Sequence, residues 1–270
     1  MLNTTMTSPA QRVPVLMYHR IGAAHNDWER KYCVSPETFA AQMEALARAG
    51  WKAVSIEDFF AWLDGTRDLP QGAFLLTFDD GFAGVHDHAA PVLRRLEWPA
   101  TVFLVSGLIG ERDAWCEKHN PDGHTYPLMD REQILALRAQ GFSFHSHTRD
   151  HADLPTLDDG ALQAQLAGAR HDLETLLGEP VDYLAYPYGR YDERVLQQAQ
   201  GAGYSAAFSV QPGFNRPDVH RFRLRRLDVF GTDTPAMLCR KITLGSNDGR
   251  LIAAWRYNAD RVLARLGIRH

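Results

Sequence analysis

Short apolar runs alternate with longer amphipathic stretches along nearly the whole chain, and this alternation narrows the possible folds more than any other feature. The apolar runs lie at 13–18, 52–55, 73–78, 100–104, 142–145, 183–186, 205–208 and 223–227, each of strand length. Helical spacing of apolar residues falls at 36–49, 56–63, 84–96, 130–139, 158–177, 192–202, 235–244 and 251–266. A strand–helix–strand rhythm makes successive strands parallel, because each crossover helix returns the chain to the same end of the sheet. The expected class is therefore α/β, with a parallel sheet or barrel.

Local signals set several helix starts. Ser35-Pro36-Glu37 offers a capping hydroxyl followed by proline at the first helical position. Asp130 with Gln133 three residues later has the form of a capping box. With 270 residues and no low-complexity linker, the chain is expected to form a single domain over 1–270. One segment, 107–128, has no clear period and contains Trp115, Cys116, His119, Pro121, Gly123, His124 and Pro127. A loop of that length is expected to border a functional groove.

The formal charge of −4 argues against a nucleic-acid partner, which would call for a basic face. Arg221, Arg223, Arg225 and Arg226 do cluster. They read as the two faces of one strand and its end, with an anion-binding edge as the alternative. Cys33, Cys116 and Cys239 are few, odd in number and far apart, so no disulfide framework is expected. No apolar run reaches membrane-spanning length, and residues 1–12 lack the apolar stretch of a signal peptide. The expected location is cytoplasmic.

In a parallel barrel, chemistry sits where strands end. Thr77-Phe78-Asp79-Asp80-Gly81 puts two carboxylates at such an end. One can bind a metal while the other accepts a proton; alone, Asp-Asp-Gly is also good turn chemistry. His147-Thr148-Arg149-Asp150-His151 gives histidines at i and i+4, which one helical turn would bring to a common cation. His145 competes for that role, because at i and i+2 it would share a strand face with His147. With one of the two aspartates added, His147 and His151 make a three-ligand set with open positions, the form of catalytic zinc sites. Tyr186-Pro187-Tyr188-Gly189-Arg190 is a rigid turn whose amides can face a developing oxyanion. His19, at the end of the first apolar run, is a candidate general acid.

Taken together, these clusters resemble the polysaccharide deacetylase family, the carbohydrate esterases built on the NodB homology domain. The likeness runs from about Val13 to Val229. It implies a distorted seven-stranded (β/α) barrel, TIM-like in plan. It also implies a divalent metal ion, with Zn2+ as the first choice, held by Asp80, His147 and His151, and Asp79 as the base. The substrate implied is a carbohydrate carrying an N-acetylated sugar. Pro187, Tyr188, Gly189, Arg190 and Trp115 are the expected substrate-binding residues, and the Tyr188 amide is the expected oxyanion donor. Two departures stand out. The family's third motif has an arginine two residues before its proline, where it pairs with the base; here that residue is Ala185. Arg190 and Arg149 are the candidates to replace it. No Leu-x-His occurs near the C-terminus, whereas Leu16-Met17-Tyr18-His19 resembles circularly permuted members that carry the acid on the first strand. The alternatives are a relative acting on a non-sugar C–N bond, such as a cyclic amide or ureide, and a catalytically degenerate carbohydrate-binding barrel.

Overall fold

A computed structural model of the chain describes residues 11–117 and 120–251. The main sheet has eight strands, paired in parallel throughout. They are β1 (Val15–Tyr18), β4 (Lys52–Val54), β5 (Ala73–Phe78), β6 (Thr101–Leu104), β7 (Ser143–Ser146), β8 (Tyr183–Ala185), β9 (Ala206–Phe208) and β10 (Leu227–Asp228). The order is β10-β1-β5-β6-β7-β8-β9, with β4 beside the first half of β5. A separate two-stranded sheet joins β2 (Arg20–Ile21) to β3 (Cys33–Val34).

The sheet curls back on itself through residues 224–228. Leu224 bridges in parallel to Phe208 of β9, and Leu227 then pairs with Leu16 of β1. The result is the expected α/β, TIM-like barrel: seven strands follow one path and β4 is an eighth beside it.

Because side chains alternate along a strand, each strand serves two cores. Val15, Leu75, Phe103, Ala185 and Phe208 fall in one cluster with Ile56, Phe59, Phe60 and Leu63 of helix α2 (Ile56–Leu63), which plugs the barrel. Their neighbours Leu16, Leu76, Val102, Leu184 and Ala207 pack outward. They meet α1 (Pro36–Arg48), α3 (Ala90–Leu96), α4 (Arg131–Arg138), the continuous α5 (Asp159–Gln163) and α6 (Ala169–Leu177), α7 (Glu193–Gly201) and α8 (Pro235–Leu244). Each fully buried Leu or Phe contributes roughly 1.5–3 kcal/mol.

The local signals act as read. The Ser35 hydroxyl accepts from Thr38 N at 3.1 Å, and Asp130 and Gln133 form the capping box. Two expected helices carry a widened π turn, at Val85–Ala89 and Ala164–Gly168, which an apolar period does not reveal. The strand expected at 223–227 is a correction. Arg221–Arg223 form a 3₁₀ turn capped by His220, Leu224 makes a single bridge, and the paired strand is the two residues Leu227–Asp228. The arginines there do not form one regular strand. Arg221 and Arg223 pair with Asp64 and Glu193, while Arg226 is fully buried. Apart from Leu251, the helix expected at 251–266 lies outside the described residues.

Candidate active site

The C-terminal strand ends deliver polar side chains to one mouth of the barrel. His19 follows β1, Asp79 and Asp80 follow β5, His147 follows β7 and Tyr188 follows β8. A cleft of about 800 Å³ opens over them and is also lined by Trp115, Gly189 and Arg190. Of the residues expected to bind substrate, Pro187 alone lies off this wall, buried under the turn it starts.

The Asp80 carboxylate and both His147 and His151 imidazoles offer ligand atoms within 4.8 Å of one another. Asp80 Oδ1 lies 3.4 Å from His147 Nε2 and 3.3 Å from His151 Nε2. It is buried and has no hydrogen-bond partner among the described residues, and His151 Nδ1 is the same. His147 Nδ1 is 2.8 Å from the Ala185 carbonyl, which can only accept. That bond fixes the proton on Nδ1, so a neutral His147 turns its Nε2 lone pair toward the carboxylate. Converging lone pairs without donors between them suit a cation, and one carboxylate with two imidazoles is a zinc-type donor set. Burial alone would raise the Asp80 carboxyl pKa; when the two histidines carry protons in place of a cation, their charge and N–H donation outweigh burial and hold it far below the usual range.

The His147–His151 pair does not sit on a helical turn. The segment is a loop in which Thr148 and His151 have φ of 67° and 56°. Gln165, on the second π turn, holds it: its Oε1 accepts from the Arg149 and Asp150 amides and its Nε2 donates to Asp150 Oδ2. Gly107 lets β6's following turn approach, because a Cβ there would stand 2.7 Å from the Arg149 carbonyl oxygen. His145 takes no part. Its ring lies among the interior aromatics, 4.6 Å from Tyr183, with neither nitrogen bonded. Burial pushes its pKa down to about 3.

Asp79 is gripped by Arg226. Nη1 donates to Oδ1 at 2.6 Å and Nη2 to Oδ2 at 2.8 Å, both residues being buried. Nε of Arg226 donates to the Ser209 carbonyl at 3.0 Å, which fixes the guanidinium plane. Burial would raise the Asp79 carboxyl, and Arg226, helped by His147, outweighs it and holds the pKa below the usual range. Neither arginine considered from the sequence reaches Asp79: Arg190 pairs with Asp153 and Arg149 with Asp172. The guanidinium lies over Phe103 and Phe208, 5.7 and 5.9 Å from their centroids, on the interior face that Ala185 shares.

The turn after β8 is strained. Tyr188 has φ 58°, and Gly189, at φ 66°, is required because a Cβ would stand 2.2 Å from Val210. Asp80, Thr148, His151 and Tyr188 are four of the five non-glycine left-handed residues described, so strain of about 1–3 kcal/mol each gathers at this rim. Gly189 and Arg190 donate their amides to the Tyr186 and Pro187 carbonyls, making the Tyr188 amide the turn's remaining candidate oxyanion donor. Trp115 stacks on His151 at 4.5 Å and 19°, and Tyr188 meets the same imidazole edge-on at 4.6 Å.

Sequence reading missed three further groups. Asp228 lines the cleft; burial raises its carboxyl pKa while nearby His19 pulls the other way. Asp113, also on the wall, is raised by burial to about 6. Glu29, by contrast, lies at about 2. Burial would raise it, but hydrogen bonds from Tyr126, the His25 amide and Asn120, with the Arg20 charge, prevail. A lone acid in a polar stretch gives no signal of such company. The 107–128 segment does border the cleft, through Trp115, Cys116, Asn120 and Tyr126.

The family profile described as "Polysaccharide deacetylase" matches residues 66–207, just over half the chain. YxkH of Bacillus subtilis is 27% identical over 223 residues, covering 83% of this chain and 73% of its own. The poly-β-1,6-N-acetyl-D-glucosamine N-deacetylase of Staphylococcus epidermidis is 25% identical over 209 residues, covering 74% and 69%. Among solved structures, a polysaccharide deacetylase of Bacillus cereus superposes with a TM-score of 0.70 at 27% identity, over 86% of this chain and 69% of that one. IcaB from Ammonifex degensii gives 0.69 at 26%, over 91% and 97%.

Proposed function

Since the chain belongs to the polysaccharide deacetylase family, we propose that it is a metal-dependent hydrolase of the N-acetyl amide in an amino-sugar glycan or its precursor, releasing acetate and a free amine. The observation that carries this reading is the Asp79 carboxylate, kept ionised by Arg226, next to the Asp80–His147–His151 donor set on the floor of one cleft. The relative in Staphylococcus epidermidis makes poly-β-1,6-N-acetyl-D-glucosamine the first substrate to offer.

Asp80, His147 and His151 would hold the cation, with zinc the best match to the donors. When bound, such a cation supplies Lewis acidity, polarising the acyl carbonyl and acidifying water. Asp79 takes the proton of the attacking water, and Arg226 keeps it from capturing that proton too early. The Tyr188 amide is the oxyanion donor. His19 delivers a proton to the nitrogen as the C–N bond breaks, so acetate and amine leave together.

Acetate release from N-acetylglucosamine oligomers tests the reading, with chelated, zinc-restored and Asp79→Asn protein in parallel. Loss on chelation, recovery with zinc and loss in the variant are expected. Undiminished turnover after chelation would remove metal dependence. Hydrolysis of small cyclic amides, with no acetate from any sugar, would transfer the site to the non-sugar C–N class.

A further inference from the structure

Among the described residues, the exposed large hydrophobic side chains are Trp28 (37%), Tyr32 (36%), Tyr188 (47%) and Leu251, where the description ends. Scattered exposed aromatics are ordinary, but the first three all line the same cleft. Tyr188 belongs to the turn already described. Trp28 and Tyr32 lie between β2 and β3, in a stretch the mechanism does not use.

That stretch is held rigidly. Glu29–Lys31 form a single 3₁₀ turn, and Glu29 points inward. Its Oε2 accepts from Arg20 at 2.7 Å and from the His25 amide at 2.8 Å. Its Oε1 accepts from Tyr126 Oη at 2.6 Å and Asn120 Nδ2 at 2.8 Å. The Arg20 guanidinium lies 3.4 Å from the Tyr126 ring centroid. One buried carboxylate thus ties the 20–34 stretch to the 107–128 segment and leaves the rings on either side of it facing the cleft. Tyr32 packs against His19 at 5.3 Å, and Trp28 stands edge-on to Tyr32 at 6.5 Å. A line of rings therefore runs outward from the proposed proton donor.

The chemistry gives that line a direction. The acyl carbon must lie over Asp79 and Asp80, and the nitrogen must face His19. The sugar bearing the nitrogen is then on the His19 side, and its neighbour in a polymer lies further out along the same side. A pyranose presents an apolar C–H face, which suits a flat exposed aromatic surface. We propose that Trp28 and Tyr32 form a binding subsite for the sugar unit adjacent to the one being deacetylated, so that the enzyme prefers oligomeric or polymeric N-acetylhexosamine over the single sugar. This rests on the deacetylase reading above.

The test compares kcat/KM for β-1,6-linked N-acetylglucosamine of one, two and five units. The wild type should gain with length, and the pentamer-to-monomer ratio should fall roughly tenfold in Trp28→Ala and in Tyr32→Ala. Trp28→Phe, which keeps a flat ring, should retain most of the ratio, separating stacking from a folding defect. Active wild type without a length preference, or alanine variants with an unchanged ratio, would overturn the subsite and leave the deacetylase reading intact. No acetate from any length would instead defeat the reading beneath it.

Discussion

Arg226 is the residue whose replacement tests most of the reasoning. It and Asp79 have side chains 0% and 3% exposed and share two hydrogen bonds. Arg226→Met keeps most of the apolar stem but leaves a carboxylate buried without its cation. Breaking a buried pair from one side costs about 3–5 kcal/mol, because the remaining charge keeps its desolvation penalty and loses its compensation. Urea unfolding should therefore show a loss of that size. Asp79→Asn combined with Arg226→Met removes both charges and should be less destabilised than the sum of the single changes. Arg190→Met and Arg149→Met break exposed pairs with Asp153 and Asp172, each worth about 0–1 kcal/mol, and serve as controls. Function should follow. With Arg226 gone, burial still raises the Asp79 carboxyl while its chief counterweight is missing. Ionisation then needs a higher pH, so the acidic limb of the kcat/KM profile for acetate release should move upward. A cost below about 1 kcal/mol for Arg226→Met with the profile left in place, or the same large loss in Arg190→Met, would refute a buried Arg226–Asp79 pair as the source of both effects.

Three further outcomes are expected. His151→Ala removes one of the three converging ligands, and zinc affinity measured by competition with a chromophoric chelator should fall by at least tenfold, with acetate release falling alongside. Glu29 has its carboxyl lowered from 4.5 to about 2, so its stabilising share is complete above pH 4.5 and is lost as pH falls toward 2. Thermal melts from pH 6 to 2 should show Glu29→Gln less stable than wild type near neutrality, with the gap closing in acid; parallel curves would refute this. His145, lowered from 6.5 to about 3, makes the fold lose stability as pH drops below 6.5, because the unfolded chain binds that proton first. His145→Phe should flatten this loss and, by removing two unpartnered buried nitrogens, raise stability at pH 7 by about 1 kcal/mol in chemical denaturation.

Much of the site could be read from the sequence because its parts are local. A short continuous apolar run, 73–78, leads straight into Asp79-Asp80 and so places both carboxylates at the C-terminal end of one strand. His147 and His151 are four residues apart, so one loop delivers both. The loop's form was not legible: the left-handed Thr148 and His151 and the brace from Gln165 depend on a π turn in a helix that an apolar period cannot distinguish from a regular one. His145 and His147 could not be ranked by spacing alone. Only the barrel interior, with Phe103 and Tyr183 around His145, separates them.

The sequence by itself determined the alternation of strands and helices, the helix caps, and the strand ends at which the acids and histidines stand. Each is encoded within a few residues by periodicity, capping or turn chemistry. Tertiary structure alone decided what holds Asp79. Its partner lies 147 positions away, in the short segment that closes the sheet from β9 back to β1. That pairing depends on strand order and on which way one arginine in a cluster of four turns. The turn is inward because closing the barrel places Arg226 opposite a buried carboxylate that must be neutralised where Ala185 provides no cation. Chain-local signals carry no record of such closure, so an apparent loss of the family's arginine at one strand is its replacement from another.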